Sequence, residues 1–108
     1  MSTYTLSIVL PCYNPTQQWE NNVLDEYRLL KAALPSEQIQ LIVINDGSTI
    51  NVSAASKLLF EKENAVFVQR DINYGKGFTL REGIRLAIGD RVIYTDIDFP
   101  YTHNSFLA

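Results

Sequence analysis

Two short apolar runs, each closed by a polar turn and separated by a long amphipathic stretch, restrict this chain to a narrow set of folds. Thr5 to Leu10 ends at Pro11, and Gln40 to Ile44 ends at Asn45-Asp46-Gly47-Ser48. Runs apolar on both faces are what parallel strands covered by helices require, so both predict buried strands. Between them Trp19, Val23, Tyr27, Leu30 and Leu34 recur at spacings of three or four. That stripe predicts a helix of about 18 residues, with Thr16 as its cap.

The alternation continues. A second helix is predicted from near Asn51, with Ala54, Leu58 and Phe60 turned toward the core, and a strand over Ala65 to Gln69. After the loop Asn73-Tyr74-Gly75-Lys76-Gly77, a third helix places Leu80, Ile84, Ala87 and Ile88 on one face, and Gly89 stops it. A fourth strand follows from Val92. This order predicts an α/β fold, a Rossmann-like parallel sheet with helices on both faces. In such sheets ligands bind beyond the carboxyl ends of the strands, where the strand order reverses. Pro11 to Asn14, Asp46 to Ser48, Arg70 to Gly77 and Asp96 to Asp98 are all expected there.

Length and charge narrow the function. With 108 residues the chain makes one domain, and it is short for a complete α/β enzyme. Nine basic against twelve acidic residues give a net charge of -3, so nucleic acid is not an expected partner. Cys12 is the single cysteine, which excludes a disulfide framework and fits a reducing compartment. No apolar run reaches the roughly 20 residues that cross a bilayer, and the first residues show neither the basic start nor the apolar stretch expected of a secretion signal. The expected location is cytoplasmic, with the cytoplasmic face of a membrane left open.

The chemistry concentrates in Val92 to Pro100, where an apolar run ends in Asp96 and Asp98. Alternate residues of an extended segment share a face, so both carboxylates can address one hard cation, and magnesium-type ions are held by one or two carboxylates plus substrate phosphates. Other chemistries are excluded by the pattern. The first strand is followed by Pro-Cys-Tyr-Asn-Pro and not G-x-G-x-x-G, and Gly75-Lys76-Gly77 lacks the remaining positions of a P-loop. No G-x-S-x-G is present, and His103 has no evident nucleophile and reads as a surface residue. Tyr13 can lie against a nucleobase and Asn14 can hydrogen-bond it. Asp46 can accept hydrogen bonds from a base or ribose, Gly47 lets the backbone turn beside it, and Lys76 can neutralise phosphate. Tyr13 and Asn14 are equally at home in an ordinary turn, whereas taken singly Asp46 more often forms an Asx-type turn and Lys76 more often a solvated helix start.

Taken in order, Ser-Ile-Val-Leu-Pro-Cys-Tyr-Asn-Pro, Val-Ile-Asn-Asp-Gly-Ser-Thr, Asn-Tyr-Gly-Lys-Gly, Gly83 with Ala87 and Gly89-Asp90, and Tyr-Thr-Asp-Ile-Asp resemble the donor half of family 2 glycosyltransferases, including the branch that acts on dolichyl or undecaprenyl phosphate. The resemblance implies the nucleotide-diphospho-sugar transferase (GT-A) fold, a nucleotide-diphospho-sugar donor, a divalent metal (Mn2+ or Mg2+) and inversion at the anomeric carbon. It implies that Pro11, Tyr13 and Asp46 surround nucleobase and ribose, and that Asp96 and Asp98 sit at ribose and metal diphosphate. Members continue well beyond the D-x-D, and that continuation supplies the acceptor site and often the general base. Residues 1–108 are therefore expected to be the N-terminal, nucleotide-sugar-binding part, inactive alone. The acceptor stays open between a saccharide and a polyprenyl phosphate, and any membrane association would lie in the continuation. An exposed edge at strand four, with Phe99, Tyr101 and Phe106, predicts self-association. The rival readings are a non-catalytic nucleotide-sugar or metal-nucleotide binding module, and a receiver-like domain, which would need a lysine after a fifth strand.

Overall fold

The two apolar runs lie side by side at the centre of the sheet. In the computed structural model, which describes residues 4–95, β1 (Leu6–Cys12) and β2 (Ile39–Asp46) pair in parallel from Leu6 opposite Ile39 to Cys12 opposite Asn45. β3 (Val66–Arg70) pairs with the outer side of β2 and β4 (Arg91–Tyr94) with the outer side of β1, giving the order β3-β2-β1-β4. All pairings are parallel, which demands a crossover between each strand and the next. Helices α1 (Trp19–Ala33), α2 (Ala54–Lys62) and α3 (Lys76–Leu86) supply them.

Both faces of the central strands are covered, which is why their sequences do not alternate. Leu6, Ile8, Leu10 and Cys12 of β1, with Ile39, Leu41 and Val43 of β2, pack against Trp19, Val23, Tyr27 and Leu30 of α1 and Phe60 of α2. Trp19, Phe60 and Phe67 stack in series at centroid distances of 5.2 and 5.7 Å. On the other face Val9, Ile42 and Ile44 meet Leu80 and Ala87 beside α3, with Val68 of β3. The strands are not wholly apolar, however. Ser7 and Gln40 are buried on the α3 face, where Ser7 Oγ donates to Gln40 Oε1 at 2.6 Å. These two oxygens accept the amides of Gly89 (2.9 Å) and Ile88 (3.0 Å), pinning the chain that leaves α3 to the amino end of the sheet.

Several local expectations are corrected. β1 runs through Pro11 to Cys12. β4 pairs only with Leu6 to Val9, so Pro11 has a ladder neighbour on one side among the described residues, where a missing amide is tolerated. α1 has 15 residues; Gln18, in a left-handed conformation, precedes it, whereas Thr16 is exposed and outside the helix, and Leu34 only caps its end. α2 starts at Ala54 and buries Ser56 and Phe60, leaving Ala54 and Leu58 exposed. Ser56 is held there because its Oγ donates to Glu20 of α1 at 2.6 Å and accepts the Ser53 amide at 3.1 Å. α3 turns Thr79 and Gly83 inward and leaves Ile84 and Ile88 exposed. Gly89 does not stop α3, which ends at Leu86; a Cβ there would stand 2.8 Å from the Leu6 carbonyl carbon, so glycine permits the close approach to β1.

Gly83 has the sharper consequence. A Cβ on it would stand 2.2 Å from Val9 Cγ1 and 3.2 Å from Ile44 Cδ1, so α3 lies against the sheet at a distance only glycine allows. Alanine is the better helix former by about 1 kcal/mol, but overpacking a filled core costs about 1–3 kcal/mol. Gly83→Ala is therefore expected to lower stability in urea unfolding. Gly77→Ala, whose Cβ would meet only the tip of Arg81 at 4.0 Å, is expected to raise it.

Candidate functional site

β1 lies between β2 and β4, so the chain moves outward one way to β3 and then returns to the far side of β1. The order reverses between the carboxyl ends of β1 and β4. The Thr95 amide donates to the Val9 carbonyl at 3.1 Å, so β4 delivers the chain to that crevice at the residue preceding Asp96. Asp96 and Asp98 themselves lie outside the described residues, as do Phe99, Tyr101, His103 and Phe106. Among the described residues no group of three His, Cys, Asp or Glu side chains could hold a metal ion.

Asp46 is the centre of what is described. It ends β2 on the α3 face and is buried at 3% exposure. A carboxylate in such a place needs donors, and it has three, one from the last residue of β3 and two from the loop that follows it. Oδ1 accepts the Tyr74 amide (2.9 Å) and Arg70 Nη1 (3.0 Å), and Oδ2 accepts the Gly75 amide (2.9 Å). The Asp46 carbonyl accepts Asn73 Nδ2 at 3.1 Å. The side chain thus stands at the entry to α3, where amides point outward and negative charge is favoured. A carboxylate has about four lone-pair sites, so three internal bonds leave Oδ2 able to accept one more.

Gly47 shows how tightly the loops close. Its φ is +74°, and a Cβ would sit 2.5 Å from the Asn73 amide nitrogen. Any side chain there would push the β3–α3 loop off Asp46.

A second set of bonds joins the loops after β1 and β2. Asn14, at φ 45°, accepts the Thr49 amide on Oδ1 (2.8 Å), and its own amide donates to Ser48 Oγ (2.9 Å). Ser48 is fixed in turn by its amide donating to Asn45 Oδ1 at 3.1 Å. Asn51 Nδ2 donates to the Pro15 carbonyl (2.8 Å), and Trp19 Nε1 donates back to the Asn51 carbonyl (2.6 Å). Tyr13, between these anchors, is 54% exposed and presents its ring to solvent. Pro11 is half-buried opposite Ile44, and Lys76 is exposed at the start of α3. The structure therefore ties Asn14 to the Ser48–Thr49 turn and Asp46 and Gly47 to the loop preceding Lys76, all at one end of the sheet.

Sequence reasoning missed the partner of Asp46. Arg70, at the end of β3, also donates through Nε and Nη2 to Glu82 (3.1 and 2.6 Å) and through Nη1 to Thr79 Oγ1 (3.0 Å). Its guanidinium lies 4.9 Å from the Phe78 ring centre and 5.5 Å from that of Tyr74, and those rings stack at 5.0 Å. The available signal was an arginine ending a strand with a glutamate in the following helix. Cys12, at the end of β1, is a buried thiol; burial pushes it up to about 12 from an ordinary 9.0, against a lowering hydrogen bond with Ser48. It is no nucleophile at neutral pH.

Comparison with known proteins now supplies the family. The model of glycosyl transferase family 2 matches residues 7–107. Glycosyltransferase AglD of Haloferax volcanii is 31% identical over 94 residues, 86% of this chain and 15% of that protein. The poly-beta-1,6-N-acetyl-D-glucosamine synthase of Staphylococcus aureus is 31% identical over 93 residues, again 86% of this chain and 21% of that protein. A crystal structure of S. aureus TarS superposes with a TM-score of 0.69 at 20% identity, over 95% of this chain and 30% of that one, which shows the shared fold. This chain belongs to glycosyl transferase family 2, and it spans about a fifth or less of the length of these two sequence relatives.

Asp46→Ala would strand two amides and a guanidinium in a buried place. Breaking a buried pair in this way costs about 3–5 kcal/mol, and Asp46→Asn, which keeps one acceptor, is expected to cost clearly less in urea unfolding at pH 7. The Cys12 thiol gives a pH dependence of known sign. Its folded value lies above the unfolded one, so its contribution is complete below pH 9.0 and is lost as pH rises toward about 12, because the unfolded chain ionises first. The stability advantage of the parent over Cys12→Ala is expected to shrink between pH 9 and pH 11, by up to about 1.4 kcal/mol per pH unit.

Proposed function

We propose that this member of glycosyl transferase family 2 forms the nucleotide-sugar-binding part, residues 1–108, of a glycosyltransferase that moves a sugar from a nucleotide-diphospho-sugar donor to an acceptor hydroxyl or phosphate. The observation that carries the reading is the Asp46 cage, which locks the loop after β3 to the end of β2 beside the point where the strand order reverses. A nucleotide laid across this end meets the Tyr13 ring, the amide group of Asn14 and the remaining acceptor site of Asp46 at its base and ribose. Pro11 and Gly47 give the backbone the shape to approach it, and Lys76 faces its phosphates.

The donor set at Asp96 and Asp98 is all hard carboxylate oxygen, which fits Mn2+ or Mg2+ shared with a diphosphate. When bound, such an ion supplies charge stabilisation for the departing nucleotide diphosphate. Transfer proceeds with inversion, the acceptor attacking opposite the leaving group. Holding an acceptor in line supplies about 7–11 kcal/mol of the barrier, a task that none of the donor-site residues named here performs. The relative named as a polysaccharide synthase supports a saccharide acceptor; a polyprenyl phosphate, anionic at neutral pH, would need no general base. The site works on the cytoplasmic side, and no helix among the described residues is long and apolar enough to cross a membrane. Val92 and Tyr94, 39% and 58% exposed on the outer strand β4, favour self-association of the isolated chain through that edge.

Calorimetry with uridine and guanosine diphosphates tests the reading. One of them is expected to bind at least tenfold more tightly with manganese or magnesium than with a chelator. Equal affinity in both would remove the metal from the donor site.

A further inference from the structure

We infer that Glu82 is a positioning residue of the donor site, acting on Asp46 through the guanidinium of Arg70. The inference rests on the donor-site reading above and extends it to a residue on the outer flank of α3.

Arg70 is 9% exposed at its side chain and is enclosed on every edge that the bonds describe. Nε and Nη2 both donate to one oxygen of Glu82, while Nη1 serves Asp46 and Thr79. The two jobs divide by edge. Glu82 holds the Nε/Nη2 side, which fixes the plane of the guanidinium, and that plane aims Nη1 at Asp46 Oδ1. Thr79 cannot do this alone, because its hydroxyl also donates to the Gly75 carbonyl at 2.9 Å and touches the same Nη1. Charge makes the same point. Asp46 and Glu82 share Arg70, and Arg85 lies 3.7 Å from the second oxygen of Glu82, so the four groups balance.

There is also somewhere for Arg70 to go. A shallow hollow lined by Phe78, Arg81, Glu82 and Arg85 opens on this flank of α3. Without Glu82, two strong donors in a nearly buried place lack an acceptor, and rotation toward solvent at the mouth of the hollow satisfies them. That rotation withdraws Nη1 from Asp46. The carboxylate then rests on two backbone amides, and its remaining acceptor site loses its fixed direction.

The test measures binding of the nucleoside diphosphate that the chain prefers, with metal present, alongside thermal unfolding of each variant. Glu82→Ala is expected to weaken binding about tenfold, the scale of one charge-assisted hydrogen bond. Glu82→Gln, whose carbonyl oxygen still accepts from Nε and Nη2, is expected to stay within about threefold of the parent on the same scale. Arg70→Lys keeps the charge but not the two-edged fork, and is expected to match Glu82→Ala, so the inference remains testable if the alanine variant does not fold. Tyr27→Phe deletes the buried hydrogen bond to the Ile39 carbonyl on the opposite face of the sheet; it is expected to lower the unfolding temperature without changing affinity, separating positioning from general loosening. Parent-like affinity in folded Glu82→Ala or Arg70→Lys, or equal losses in the Gln and Ala variants, would overturn the inference and leave the donor-site reading standing. A parent chain that binds neither diphosphate would overturn both.

Discussion

The carboxylate of Asp46 is the point on which the carboxyl end of this sheet depends. It is a negative charge at 3% exposure, which is tolerable only with donors supplied from within. Two come from the backbone at Tyr74 and Gly75, in the segment that leads from β3 into α3, and one from Arg70 at the end of β3. One side chain at the end of β2 therefore decides where the next loop and helix begin. Gly47, directly after it, gives that loop room to descend.

The apolar core serves the same end. The amides of Tyr74 and Gly75, just before α3, can reach Asp46 because Gly83 lets the helix lie close on Val9 and Ile44, and because Ser7 and Gln40 fasten the chain beyond its other end. On the opposite face the Trp19, Phe60 and Phe67 stack fixes α1 and α2 to the sheet, and the bonds of Asn14 and Asn51 tie the loops above them together. The proposed donor site thus has a floor on β2, with Tyr13 exposed on a loop whose ends are held and Lys76 exposed at the first turn of α3. Such an arrangement binds a ligand with little ordering cost.

Much of this was legible in the sequence because it is written locally. Doubly covered strands need nearly continuous apolar runs, and apart from Ser7 and Gln40 β1 and β2 have them; α1 carries a stripe at helical spacing, and these elements were placed correctly although their ends were not. The errors fell where a partner distant in sequence decides the outcome. Ser56 is buried in α2 because Glu20 of α1 accepts its hydroxyl, so the helix turned Phe60 inward and Leu58 outward. Gly89 looked like a helix stop, yet its role is to pass close to Leu6, which no neighbouring residue announces. The pairing of Arg70 with Glu82 was missed for the same reason, since twelve residues and a turn separate them and only the fold brings them within hydrogen-bonding distance. The candidates Asp46 and Gly47 were found from turn chemistry, but the internal bonds that occupy most of the carboxylate could not be read from the turn.

A nucleotide bound as proposed lies at the carboxyl end of the sheet, around Asp46. Amide chemical shifts of the isotopically labelled chain, followed during titration with a nucleoside diphosphate and metal, test this most directly. The account predicts changes at Tyr13, Asn14, Gly47, Ser48, Thr49, Tyr74, Gly75 and Lys76, with Glu37, Ile88 and Gly89 at the amino end unmoved. Changes confined to the amino end, or to the outer faces of α1 and α2, would contradict it.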